Sequence, residues 1–228
     1  LRRPLAARAP LAPGGRQSDW RLWLPPLLPL LTLTVVATAI PALMQSALPL
    51  DLVRGGLQRP ALPEGTGALL IGGQLGLLLL IQWPVGQFLA KRPVRLGLTI
   101  SLLSFSLGCA LLALSALSSG GAGLVALALV PVALGEAAFL PIATEAVVEL
   151  TPIDHQGLAM ALFSQCFAIS SFAAPLVAGW FLDHHHHGLW LWLGTALACL
   201  LGLPLAVQIG RYQQQGRQAG LGAAGNGG

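Results

Sequence analysis

The sequence predicts an all-α, polytopic membrane protein with six transmembrane helices, and three observations lead there. Only 9% of the 228 residues are charged while 55% are hydrophobic, with a mean hydropathy of +0.75. A soluble domain carries about 25% charged residues, so this chain cannot coat a globular surface in water. Uncharged runs long enough for the roughly 20 residues that cross a hydrocarbon core recur along the chain. The basic residues gather at alternate junctions between those runs, the pattern that orients helices in a bilayer. A soluble enzyme, a nucleic-acid-binding domain and a disordered chain are excluded. The net charge of +4 belongs to the flanks of apolar runs.

The charges mark the elements in order. Leu1–Arg21 holds five arginines and reads as a basic, disordered cytoplasmic tail or the remnant of a loop. It has no cleavage-type stretch, and the apolar run after it is too long for a signal peptide. Leu22–Leu50 and Gly65–Ala90 are uncharged and give spans one and two. Leu96–Gly135 is uncharged for 40 residues, too long for one span, and the small turn residues Ser118–Gly123 divide it. The spans fall at about 24–50, 66–90, 96–117, 124–148, 157–182 and 189–208, a bundle over 22–208, with a disordered tail over 209–228.

With the N-terminus inside, ten of the twelve basic residues lie on the cytoplasmic side, and only Arg54 and Arg59 lie outside. Both termini are therefore expected in the cytoplasm, in a plasma or inner membrane. The six tryptophans mostly sit near span ends, where indoles anchor at the interface. Cys109, Cys166 and Cys199 lie far apart in apolar runs and read as small buried hydrophobes. His184–His187 reads as a solvated loop, since adjacent histidines cannot shape a tetrahedral site and no second ligand cluster is evident. No metal, cofactor or nucleophile–base set is expected.

Small residues form stripes at helical spacing: Ser164, Ala168, Ser171, Pro175 and Gly179 in span five; Ser101, Ser104, Gly108 and Ser115 in span three; Gly72 and Gly76 in span two. These read first as packing ridges and second as pore lining. Span six, mostly Leu, Ala, Gly and Trp, reads as an outer, lipid-facing helix. Spans two and five end alike, in Pro84-Val85-Gly86-Gln87-Phe88-Leu89 and Pro175-Leu176-Val177-Ala178-Gly179-Trp180-Phe181-Leu182. A three-plus-three inverted repeat would leave that echo, and so would chance in low-complexity sequence.

Between spans two and three stands Gly86-Gln87-Phe88-Leu89-Ala90-Lys91-Arg92-Pro93-Val94-Arg95. Further on come Leu134-Gly135-Glu136, Thr151-Pro152, Gly157-Leu158-Ala159-Met160 and Ala174–Trp180. In order and spacing, from about Leu22 to Val207, this resembles one six-helix half of a major facilitator superfamily transporter. The loop motif departs from the family's pattern, with Ala90 at the usual Asp and Pro93 at the second Gly. Together with the lack of an Arg in span four, that favours the C-terminal half. The chain opens on Leu, and its methionines are Met44 and Met160; a fragment is therefore expected.

Glu136 is weighed first among the site residues. A charge at mid-helix costs about 2.5–3.5 kcal/mol on insertion scales and marks a functional site by default. The resemblance adds that the first and fourth helices of a half line the central cavity. Glu136 reads either as a proton-coupling or substrate-contacting carboxylate, or as a structural hydrogen bond to a neighbouring helix. Thr34, Thr38, Gln45, Gln74, Gln82, Gln165 and Ser171 could wall a substrate path, or serve singly as polar glue between helices. For the loop motif the resemblance implies a cytoplasmic gating latch of Gly86, Lys91, Arg92 and Arg95 with Glu145 and Glu149. Solvated loop charges are the plainer reading.

The expectation is a secondary transporter, not an enzyme. It would move a small solute by alternating access, with H+ as a candidate coupling ion through Glu136. Its partners would be the lipid bilayer and a second six-helix half, supplied upstream, by a split partner or by another copy. A non-transporting membrane scaffold or subunit is the alternative, and an intramembrane enzyme the next.

Overall fold

The computed structural model describes residues 20–225. Six long helices fill that range: α1 (Trp20–Arg54), α2 (Glu64–Leu89), α3 (Val94–Ser115), α4 (Gly121–Leu150), α5 (Gln156–His185) and α6 (Leu189–Gly225), with one 3₁₀ turn at Ile153–His155 and, among the described residues, no strand. All six are long and apolar enough to cross a membrane. Short connections make successive helices antiparallel. The expected disorder of the first 19 residues and of 226–228 lies outside the described residues.

Two helices overrun the expected ends. α6 continues to Gly225 where a disordered tail was expected from residue 209. The segment after Pro204 contains no further proline, and its Gln, Arg and Ala are adequate helix formers. α5 runs through His184 and His185, so the histidine tetrad is not wholly a loop. His184 Nδ1 lies 2.8 Å from the Trp180 carbonyl, and its ring packs on Trp180. His186, with φ 61°, closes the helix by donating its N–H to the Leu182 carbonyl.

The tightest seam joins α3 to α4. A Cβ at Gly97 would come within 2.7 Å of Ile142, one at Gly135 within 2.8 Å of the Phe105 ring, and one at Gly108 would run into Val132. Ser101 donates to the Gly135 carbonyl at 2.8 Å. The span-three ridge is thus a packing ridge, as small residues in lipid allow. α6 packs on α3, with Ser106 donating to the Ala196 carbonyl. Trp192, Cys199 and Ile209 of α6 are fully buried, so only part of that helix is free to face lipid.

The span-five and span-two ridges behave otherwise. α5 buries Ala159, Phe163, Cys166, Ser170, Ala174, Ala178 and Leu182, while Ser164, Ala168, Ser171 and Pro175 are exposed. Polar partners account for the face chosen: Ser170 donates to the Val35 carbonyl at 2.8 Å, and its hydroxyl lies 2.7 Å from that of Thr38. α2 buries only Gly67, Gln74 and Leu89, and nothing lies within 4 Å of a Cβ placed at Gly72, Gly76 or Gly86.

The packing nearly maps onto itself when α1–α3 and α4–α6 are exchanged. α1 packs on α5 and α2 on α4; α3 packs on α6 and α1 touches α4. Three spans per repeat is an odd number, so the second copy is inverted, as a three-plus-three architecture requires. The symmetry is imperfect, because α3–α4 is far more extensive than its counterpart α6–α1.

One end of the bundle is tied by a buried network on which the sequence reading placed no weight. Arg59, in the α1–α2 loop, pairs with Asp51 at 3.1 Å, both side chains fully buried. It also donates to the Asp51 carbonyl and, at 2.6 Å, to the Ser115 hydroxyl. The Asp51 carboxylate accepts from the Gly188 N–H at 2.7 Å and the Trp192 indole at 3.1 Å. A side chain at 188 would strike that carboxylate, so glycine is what lets the amide approach. Trp192 is therefore a buried donor rather than an interfacial anchor, in keeping with the need of a buried indole N–H for a partner. Beside this network Arg54 bonds to Asp183 and to the Leu182 carbonyl.

Candidate functional site

α1, α3, α4 and α5 line an open cavity of about 330 Å³ formed by Ala37, Thr38, Pro41, Ala42, Gln45, Phe105, Glu136, Phe139, Leu140, Phe167 and Ser171. Its depth follows from the helix ends. Glu136 lies fifteen residues after Gly121 and fourteen before Leu150, about 21–23 Å from either end at 1.5 Å per residue. Thr38 and Ser171 are likewise near the midpoints of α1 and α5. The cavity is therefore at mid-depth of the bundle.

Local sequence shapes its wall. Gly135 leaves room for the Phe105 ring beneath the backbone that carries Glu136. Pro41 has no N–H for the Ala37 carbonyl four residues earlier, and Pro175 none for that of Ser171. Two wall residues thus keep carbonyls without their helical donors. Glu136 Oε2 is buried and has no hydrogen-bond partner. A buried carboxylate oxygen without a donor costs free energy, so it points to a ligand, a proton or water.

Of the polar residues expected along a path, the structure brings Thr38, Gln45, Glu136 and Ser171 together. Thr34 is fully buried and donates to the Leu30 carbonyl in its own helix. Gln74 is buried on α2 and outside the cavity lining. Gln82 and Gln165 are exposed on α2 and α5, away from it. Helical spacing put them in reach of the path, but it does not say which direction a face takes. The three aromatic rings in the wall, and Ser170 behind it, escaped sequence reasoning because Phe and Ser recur throughout such helices.

The residues of the supposed latch share the opposite end from the Asp51–Arg59 network but are not joined. Lys91, Arg92, Arg95 and Glu145 are exposed, and among the described residues no ion pair links those cations to Glu145. The Arg92 guanidinium lies over the Phe88 ring, 5.1 Å from its centroid. Glu149 accepts from Gln213 at 2.7 Å, and Gly86 has open space around it. Among the described residues no group of three His, Cys, Asp or Glu could hold a metal ion.

Six antiparallel apolar helices with a mid-depth cavity whose one acid is Glu136 describe a multi-pass integral membrane protein. The family model of the Major Facilitator Superfamily matches residues 20–224, which take in all six helices, and the chain belongs to that family. Its members are transporters that move small solutes across the lipid bilayer. Neither a curated protein nor a solved structure gives a match.

Proposed function

We propose that this chain is one six-helix half of a secondary transporter that works by alternating access, with Glu136 as the group that couples transport to protons. The observation that carries the proposal is the unpartnered Glu136 oxygen in a cavity built from the midpoints of three helices. Midplane binding at the junction of repeats is the common plan of such carriers. A second six-helix half would complete the cavity and cover α2, which buries only three of its residues.

The N-terminus and C-terminus both lie in the cytoplasm on this reading. Lys91, Arg92 and Arg95 occupy that side. The two arginines at the far end are each paired with an aspartate, which leaves little free positive charge there. Exposed Lys91, Arg92, Arg95 and Glu145 are the charged set that pairs when the cytoplasmic side closes.

The test uses inverted membrane vesicles holding the chain with its second half, acidified inside and followed with an acridine dye. A panel of anionic, neutral and cationic solutes is added. At least one solute should dissipate the pH gradient, and Glu136→Gln should abolish that response. Full proton movement in Glu136→Gln removes the coupling role; activity of the isolated chain as a monomer removes the half-bundle.

A further inference from the structure

The cavity wall has an uneven chemistry that says what it would bind. Among the described residues Glu136 is the only charged or titratable one in its lining, whichever of α1, α3, α4 and α5 is inspected. Phe105, Phe139 and Phe167 add three rings, whose faces attract cations. Gln45 and Ser171 add an amide and a hydroxyl to the wall, and the Ala37 and Ser171 carbonyls lose their helical donors to Pro41 and Pro175. The Thr38 hydroxyl is already engaged, donating to the Thr34 carbonyl at 2.7 Å. Such a wall repels an anion. A neutral solute would leave the ionised carboxylate without a counter-charge.

We infer that the cavity takes a monovalent organic cation, a protonated amine or quaternary ammonium with an aromatic or branched aliphatic body, and that Glu136 is its counter-charge. The inference rests on the reading of this cavity as the transport site. A carboxylate that holds the cation cannot at the same moment hold a proton. The proton leaves Glu136 for water as the cation enters and returns as the cation departs, so the two move in exchange.

The experiment measures binding of radiolabelled tetraphenylphosphonium to the chain assembled with its second half and purified in detergent. Two competitors of similar size and opposite charge are used, benzyltrimethylammonium and benzenesulfonate. Saturable binding is expected, displaced by the ammonium and not by the sulfonate, and at least tenfold weaker in Glu136→Gln. Binding should weaken on acidification in the native chain and lose that dependence in the variant. Gel filtration of Glu136→Gln, a near-isosteric change, checks that the bundle is intact. In parallel, Ser171→Cys is treated with a membrane-impermeant methanethiosulfonate, since Ser171 shares the wall.

Two different failures are separable. If Ser171→Cys is labelled but tetraphenylphosphonium does not bind, binds equally to Glu136→Gln, or yields to the sulfonate, the cavity stands and its preference for cations is wrong. If Ser171→Cys is not labelled, the cavity itself is closed to water and the transport reading falls with it.

Discussion

The α3–α4 seam and the outward faces of α2 and α5 carry the same signature, glycine and serine at helical spacing, and meet opposite environments. Along the seam, Gly97, Gly108 and Gly135 each admit a neighbouring side chain that any Cβ would strike. On the outward faces, Gly72, Gly76, Gly86 and Gly179 have nothing within 4 Å. A small-residue stripe therefore says that two helices can come close, not which two. In hydrocarbon there is no aqueous face to orient a helix, so association is settled by packing and polar contacts. α3 finds those contacts inside this chain, through Ser101, Ser106 and Ser115. The bare stripes of α2 and α5 are left for the proposed second half.

The comparison can be broken at several points. The largest effect is expected where the packed region is locked by charge. Arg59→Ala leaves Asp51 buried without its counter-charge and should cost about 3–5 kcal/mol, read as a lowered unfolding midpoint in detergent by tryptophan fluorescence. Replacing both members, Asp51→Leu with Arg59→Met, should recover a large part of that loss. An unchanged midpoint in Arg59→Ala would show that the network is not structural.

Next comes Gly108→Leu, which overpacks the seam against Val132 and should cost about 1–3 kcal/mol or more. Gly76→Leu and Gly179→Leu, the matching changes on the bare faces, should leave the isolated bundle within about 0.5 kcal/mol of the native chain. They should instead reduce its co-purification with a second half. Equal destabilisation at positions 76 and 108 would erase the contrast. The smallest effect is expected at the exposed charges of the α2–α3 loop and the end of α4. Arg92→Glu and Glu145→Arg should each lower the transport rate severalfold, and the double exchange should restore it if the two pair in another access state.

Much of this was legible in the sequence because charge gaps measure span length directly. Charge gaps and the Ser118–Gly123 turn divided the chain into six spans that became six helices, and Glu136, the more deeply placed of the two glutamates read into span four, became the acid of the cavity. The rest depended on direction. Gln74 and Gln82 share a helical stripe by spacing, yet one is buried and the other exposed. The ridge of Ser164, Ala168 and Ser171 looked like the packed side of α5, but Ser170 and Cys166 turned the adjacent face toward the α1 carbonyls. Asp51 and Arg59 read as boundary charges, since only the folded loop brings Ser115, Gly188 and Trp192 around them. Nor could residue spacing show that Glu136 and Ser171, 35 positions apart, would share a wall with Thr38.

Everything functional here depends on the side chain at position 136 facing water in the middle of the membrane. Glu136→Cys in intact membranes, treated with a membrane-impermeant methanethiosulfonate, addresses that directly, with Leu127→Cys, exposed on the same helix, as the comparison. Labelling at 136 and not at 127 is expected. Labelling of 136 only by a lipid-soluble maleimide would place the glutamate among acyl chains and end the transport-site reading.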